Sequence, residues 1–205
     1  VHTNIGYLFG GCYGDRDFNV WGLCEASAAP PLSYLATLSG TIFTFTIRWL
    51  GYIMLRRADT AGDRAFALSV IFASMPFGRL FTVALKSGDE YLVLRNLFND
   101  GQHDVTLWLI TSAALVAICI CPLIGAWKAL PEKKRLLAFS ALFFGPTVMF
   151  ILIVPLGLNA LLADGLLSSS GLLGAPVMIT LWTGLCIAVT GLLRGSLRSW
   201  LVEDN

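Results

Sequence analysis

Apolar residues in this chain come in blocks too long for strands or for helices lying on a soluble core. Leu32 to Leu55, Ala65 to Leu85, Val105 to Trp127, Leu136 to Ala163 and Gly171 to Leu193 are each dominated by apolar side chains and separated by short polar turns. A hydrocarbon core about 30 Å thick takes roughly 20 residues of helix to cross. The pattern therefore predicts an all-α, polytopic transmembrane helical bundle of about five full spans. Val1 to Gly14, apolar but too short to cross alone, reads as part of a helix whose beginning is missing or as a re-entrant piece. Ten-residue segments of alternating polarity, the mark of a membrane barrel, are absent. Pro76 and Gly78 interrupt the second span, Pro122 lies inside the third, and Pro146 and Pro155 predict a kink in the fourth.

The one place where ionisable groups crowd against apolar surface is Met75 to Asp104. Arg79 lies inside an apolar run, and the connection from Lys86 to Asp104 carries Asp89, Glu90, Arg95, Asp100 and His103. Tyr91, Leu92, Leu94, Leu97 and Phe98 recur at helical spacing, which predicts a short interfacial helix there. An arginine at membrane depth needs a partner or must extend to the interface. For Arg79 the expectation is an internal ion pair with Asp89, Glu90 and Asp104, with substrate handling as the sharper alternative. For Arg48, about two turns from the end of its span, the expectation is extension to the interface.

Composition strengthens the membrane reading. Of 205 residues, 13% are charged, about half the usual fraction for a soluble domain, and mean hydropathy is +0.74. A net charge of +1 gives no reason to expect nucleic acid as a partner. The distribution of charge predicts orientation: Arg56, Arg57, Arg64, Lys128, Lys133, Lys134, Arg135, Arg194 and Arg198 fall on one side of the predicted spans, and only Arg16, Lys86 and Arg95 on the other. By the positive-inside rule the basic turns and the C-terminus are cytoplasmic, and 15–31 and 86–104 face outward. Cys12 and Cys24 then lie in or beside an outward loop, where they would either form a disulfide or remain two thiols. Cys119, Cys121 and Cys186 lie within spans and read as small packing residues. Gly6 with Gly10, and Gly191 with Gly195, have the spacing that lets helices approach closely.

His2 and His103 are the only histidines. With Asp104 they would supply the three protein ligands of a catalytic zinc site, but they come from two segments, and structural roles are the plainer reading of both. The stretch Val-His-Thr-Asn-Ile-Gly-Tyr-Leu-Phe-Gly-Gly-Cys-Tyr-Gly-Asp (Val1 to Asp15) resembles the motif helix of the site-2-protease-like membrane zinc metallopeptidases. Leu38-Ser39-Gly40 resembles that family's small-residue second span, and Gly88 to Glu90 with His103 and Asp104 its later acidic segment. The resemblance implies a peptidase scaffold with His2 as the first motif histidine. Thr3 then replaces the motif glutamate, and Gly6 the second histidine. Without a general base and two histidines one turn apart, neither the metal nor its activated water is held.

The functional expectation is accordingly a non-catalytic integral membrane protein, a structural or accessory subunit packed against other membrane proteins of a larger complex. A bound lipid, quinone or pigment is compatible with such a role, and no residue selects one. The alternatives are an intramembrane zinc peptidase with an unusual ligand set and, because several spans are broken by proline, a small transporter or channel.

Overall fold

The computed structural model describes residues 13–16, 21–23, 30–98, 103–169, 176–182, 184–185 and 188, with side chains described from Tyr34 onward. Its fold is all-α apart from one short antiparallel pair, β1 (Tyr13–Arg16) and β2 (Trp21–Leu23), paired from Tyr13–Leu23 to Arg16–Trp21. Tyr13 and Gly14, expected at the end of a helix, thus belong to a strand. Among the described residues, four helical stretches are long and apolar enough to cross a membrane: Tyr34–Arg56, Ala61–Ala84, Asp104–Ala129 and Glu132–Ala163. The expected fifth span, 171–193, lies largely outside the described residues, although 177–182 are helical. The chain divides into two compact units, one built on residues 37–147 and the other on the residues flanking them.

α1 (Pro30–Arg56) is one continuous helix. α2 (Ala61–Ala73) starts at a capping box: Thr60 Oγ1 accepts from Asp63 N–H at 3.1 Å, and Asp63 Oδ2 accepts from Thr60 N–H at 3.3 Å. The second span then breaks. Pro76 lacks an N–H and would clash with the carbonyl four residues back, so the helix cannot run through it. Met75 takes a left-handed conformation, φ 44°, and α3 (Pro76–Ala84) restarts with the proline in its first turn. Met75 offers no side-chain cap, and Thr147 of another helix supplies one: its Oγ1 accepts from Gly78 N–H at 3.1 Å. At its far end α3 closes with Lys86 at φ 55° and Ser87 N–H bonding back to Thr82 O at 2.9 Å.

α4 (Asp89–Phe98) is the short helix between spans. α5 (Asp104–Ala129) buries one stripe, Leu107, Thr111, Leu115, Cys119, Pro122 and Ala126, at helical spacing. Large side chains such as Leu109, Ile110, Val116 and Ile120 are exposed on the rest of it, as expected of a helix facing hydrocarbon. Thr44, Thr46, Ser69, Thr111 and Ser112 each bond a carbonyl one turn earlier, so these hydroxyls need no outside partner. After a 3₁₀ turn (Glu132–Lys134), α6 (Arg135–Ile153) carries Phe139, Phe143 and Phe144, which contact Trp127, Phe72 and Phe77 edge-on or tilted. The core of the 37–147 unit joins Leu68, Ile71, Phe72, Ala126, Leu130 and Ala138. In the flanking unit a π turn (Val154–Leu158) contains Pro155 and leads into α7 (Asn159–Ala163).

Candidate functional site

The 37–147 unit holds three polar groups. The deepest centres on Arg48, which is fully buried. Its Nε donates to Ser74 Oγ at 2.9 Å, its Nη2 to Ser74 O at 3.2 Å, and its Nη1 to Cys119 Sγ. The guanidinium also lies 5.1 Å from the centre of the Phe45 ring. Extension of Arg48 to the interface is therefore corrected, and the helix break explains why. Ending α2 before Pro76 leaves carbonyls without helical partners inside apolar surroundings, at the negative end of a helix dipole. A buried guanidinium meets that need and ties α1, α2 and α5 together. Cys119 is buried as expected of a packing residue, but its sulfur also accepts a charged donor. The sequence carried the signal, Pro76 two residues beyond Ser74, without identifying Arg48 as the group that answers it.

The second group is Arg79 with the start of α4. Arg79 Nη1 lies 3.1 Å from Asp89 Oδ2 and 3.7 Å from Glu90 Oε1, and Nη2 reaches Thr44 Oγ1 at 3.4 Å. Glu90 is buried, and neither carboxylate oxygen has a hydrogen-bond partner among the described residues. Arg79 is thus its nearest compensation. Arg79→Leu should lower stability by about 1–2 kcal/mol, with Arg79→Lys recovering part of it, in denaturant unfolding of the detergent-solubilised chain.

Asp104 does not join this group and is a correction to the expected pairing. It opens α5 and meets the chain leaving α3: Lys86 Nζ lies 2.6 Å from Oδ2, Arg95 Nε 3.8 Å from Oδ1, and the Tyr91 hydroxyl donates to Oδ1. The left-handed turn at Lys86 sets this geometry, because it sends the chain back towards the first turn of α5. Trp108 adds a clamp, donating from Nε1 to Val83 O at 2.8 Å beneath the Lys86 ammonium.

Its hydrogen bond to Asp104 raises the pKa of Lys86, and a separate hydrogen bond to Asp104, then burial, raises that of Tyr91. Folding therefore favours the protonated forms of both. Their contribution is complete below their ordinary values near 10 and is lost as pH rises through the raised ones. In an alkaline titration read by tyrosinate absorbance, Asp104→Asn should lower the pH at which Tyr91 ionises.

His103 lies immediately before α5 beside Asp104, and its side chain does not cap the helix. No group of three His, Cys, Asp or Glu suited to a metal is found among the described residues. His2, Thr3, Gly6, Gly10, Cys12, Cys24, Gly191 and Gly195 lie outside them. Fold and polar groups together define a membrane-embedded helical protein whose Arg48 and Arg79 find their partners within the fold. No family model, curated protein or solved structure matches the chain.

Proposed function

We propose that the chain is a multi-pass, non-catalytic membrane protein serving as an accessory subunit of a larger membrane assembly. One observation carries the reading: Arg48, the most deeply buried charge, joins three helices through Ser74 and Cys119. An intramembrane charge is by default a functional candidate, and here the fold itself accounts for it. In this reading the basic turns are cytoplasmic and the cap built on Asp104 faces outward, supported by the charge bias between the two ends. The scaffold is that of a site-2-protease-like peptidase without its motif glutamate and second histidine, Thr3 and Gly6 standing there.

Mild detergent extraction of native membranes followed by native gel electrophoresis tests this. The chain is expected to migrate with other membrane proteins; migration as a lone monomer overturns the reading.

A second reading, a small transporter, draws on a different observation. Glu90 and Thr41 have buried oxygens without hydrogen-bond partners among the described residues, and the Met75–Pro76 break lies in the same unit. Buried carboxylates and broken helices mark ion and proton paths. A proton flux into liposomes abolished by Glu90→Gln would favour this reading over the first.

A further inference from the structure

At the opposite end of the 37–147 unit from the Asp104 cap, three cations converge on one cleft. Arg56 ends α1, Arg64 lies in the first turn of α2, and Lys128 in the last turn of α5. Together they line a cleft of about 490 Å³ whose walls include Tyr52, Leu55 and Ile124. No carboxylate among the described residues lies within ion-pair distance of any of the three, whereas Arg79, Lys86 and Arg95 at the other end each have one. The cleft is also deep. It reaches Cys121, which at 1.5 Å per residue lies roughly 10 Å along α5 from Lys128.

We propose that this cleft binds one anionic phospholipid, its phosphate held by Arg56, Arg64 and Lys128 and the first part of an acyl chain lying between Tyr52 and Ile124. Charge complementarity selects the anion: two guanidiniums offer paired donors to phosphate oxygens and the ammonium a third charge. The apolar wall selects a lipid over a soluble phosphate, because it continues from the charged mouth into a part of the chain that faces hydrocarbon. Basic pockets between membrane helices recognise anionic headgroups by this combination. The volume accommodates a phosphate, a glycerol unit and the start of one chain, with the remainder left to the bilayer. The inference rests on membrane embedding and not on the accessory role.

The test is native mass spectrometry of the full chain released from nanodiscs of equal phosphatidylcholine and phosphatidylglycerol. One phosphatidylglycerol should be retained per chain, enriched about tenfold over phosphatidylcholine. The double variant Arg64→Gln, Lys128→Gln should bring that enrichment close to one. Arg57→Gln, Lys133→Gln, which removes the same charge outside the cleft, should leave it unchanged. Ile124→Trp, which fills the wall and keeps every charge, should also reduce retention. Equal retention of the two lipids overturns the proposal, as does an equal loss in both double variants. Displacement of the lipid by millimolar glycerol 3-phosphate overturns it too, since the site would then read phosphate alone. Arg64 and Lys128 are exposed, and unchanged helical circular dichroism confirms that each variant is folded.

Discussion

Replacing Ser74 by Ala together with Cys119 by Val should cost the fold about 3–5 kcal/mol, the largest effect expected of any conservative change here. The pair removes the acceptors of Arg48 Nε and Nη1 and leaves only Ser74 O. The guanidinium stays charged and cannot reach water, because no part of Arg48 is exposed. Arg48→Met should cost less, about 1–3 kcal/mol: it removes the charge along with its need for partners and fills a similar volume, but leaves Ser74 O without its donor. The triple variant should recover part of what the double variant loses. Unfolding in mixed micelles measures all four proteins, and the coupling between Arg48 and its acceptors follows from the cycle. Should Arg48→Met prove as damaging as the double variant, the arginine does more than satisfy the helix break, and the accessory-subunit reading loses its main support.

That contrast marks where the sequence was legible. Long apolar runs set the helical membrane class unambiguously, since few other structures satisfy a backbone inside hydrocarbon. Pro76 marked an interruption, and Tyr91, Leu92 and Leu94 a short helix after it, because both are local properties of the chain. What the break required was not local. Arg48 lies 26 residues from Ser74 and 71 from Cys119, and distance along its own helix pointed to the interface instead. Asp104 was misplaced for a similar reason. A shared side of the membrane grouped it with Arg79, whereas a left-handed turn at Lys86, a position where glycine is usual, redirects the chain and delivers Lys86 to it. The cap on α3 from Thr147 was equally hidden, 69 residues from Gly78. The cleft at the other end had its charges in plain view, read only as an orientation signal. Their convergence on an apolar wall depends on helix packing that no periodicity expresses.

Gly51→Ala should destabilise the chain by about 2–3 kcal/mol although it adds a single methyl group. A Cβ at this position would lie 2.9 Å from both the backbone nitrogen and Cγ1 of Ile71 and 3.0 Å from Cγ1 of Val70. A side chain could rotate away, but a backbone nitrogen within a helix cannot, so α1 and α2 would have to separate. Ile71 is fully buried and, with Phe72, packs in the cluster that includes Ala126 and Leu130. Separation would therefore loosen that core as well. It would also disturb the buried cation, because Arg48 precedes Gly51 by three residues and Ser74 follows Ile71 by three, placing each on the contacting face of its helix. The informative comparison is the neighbouring Leu50→Ala, which removes three carbons from an exposed side chain and should cost under about 1 kcal/mol. Thermal unfolding of the two variants in the same detergent measures the difference. If Gly51→Ala is no worse than Leu50→Ala, α1 and α2 do not meet at this glycine, and the register that brings Arg48 to Ser74 fails with it.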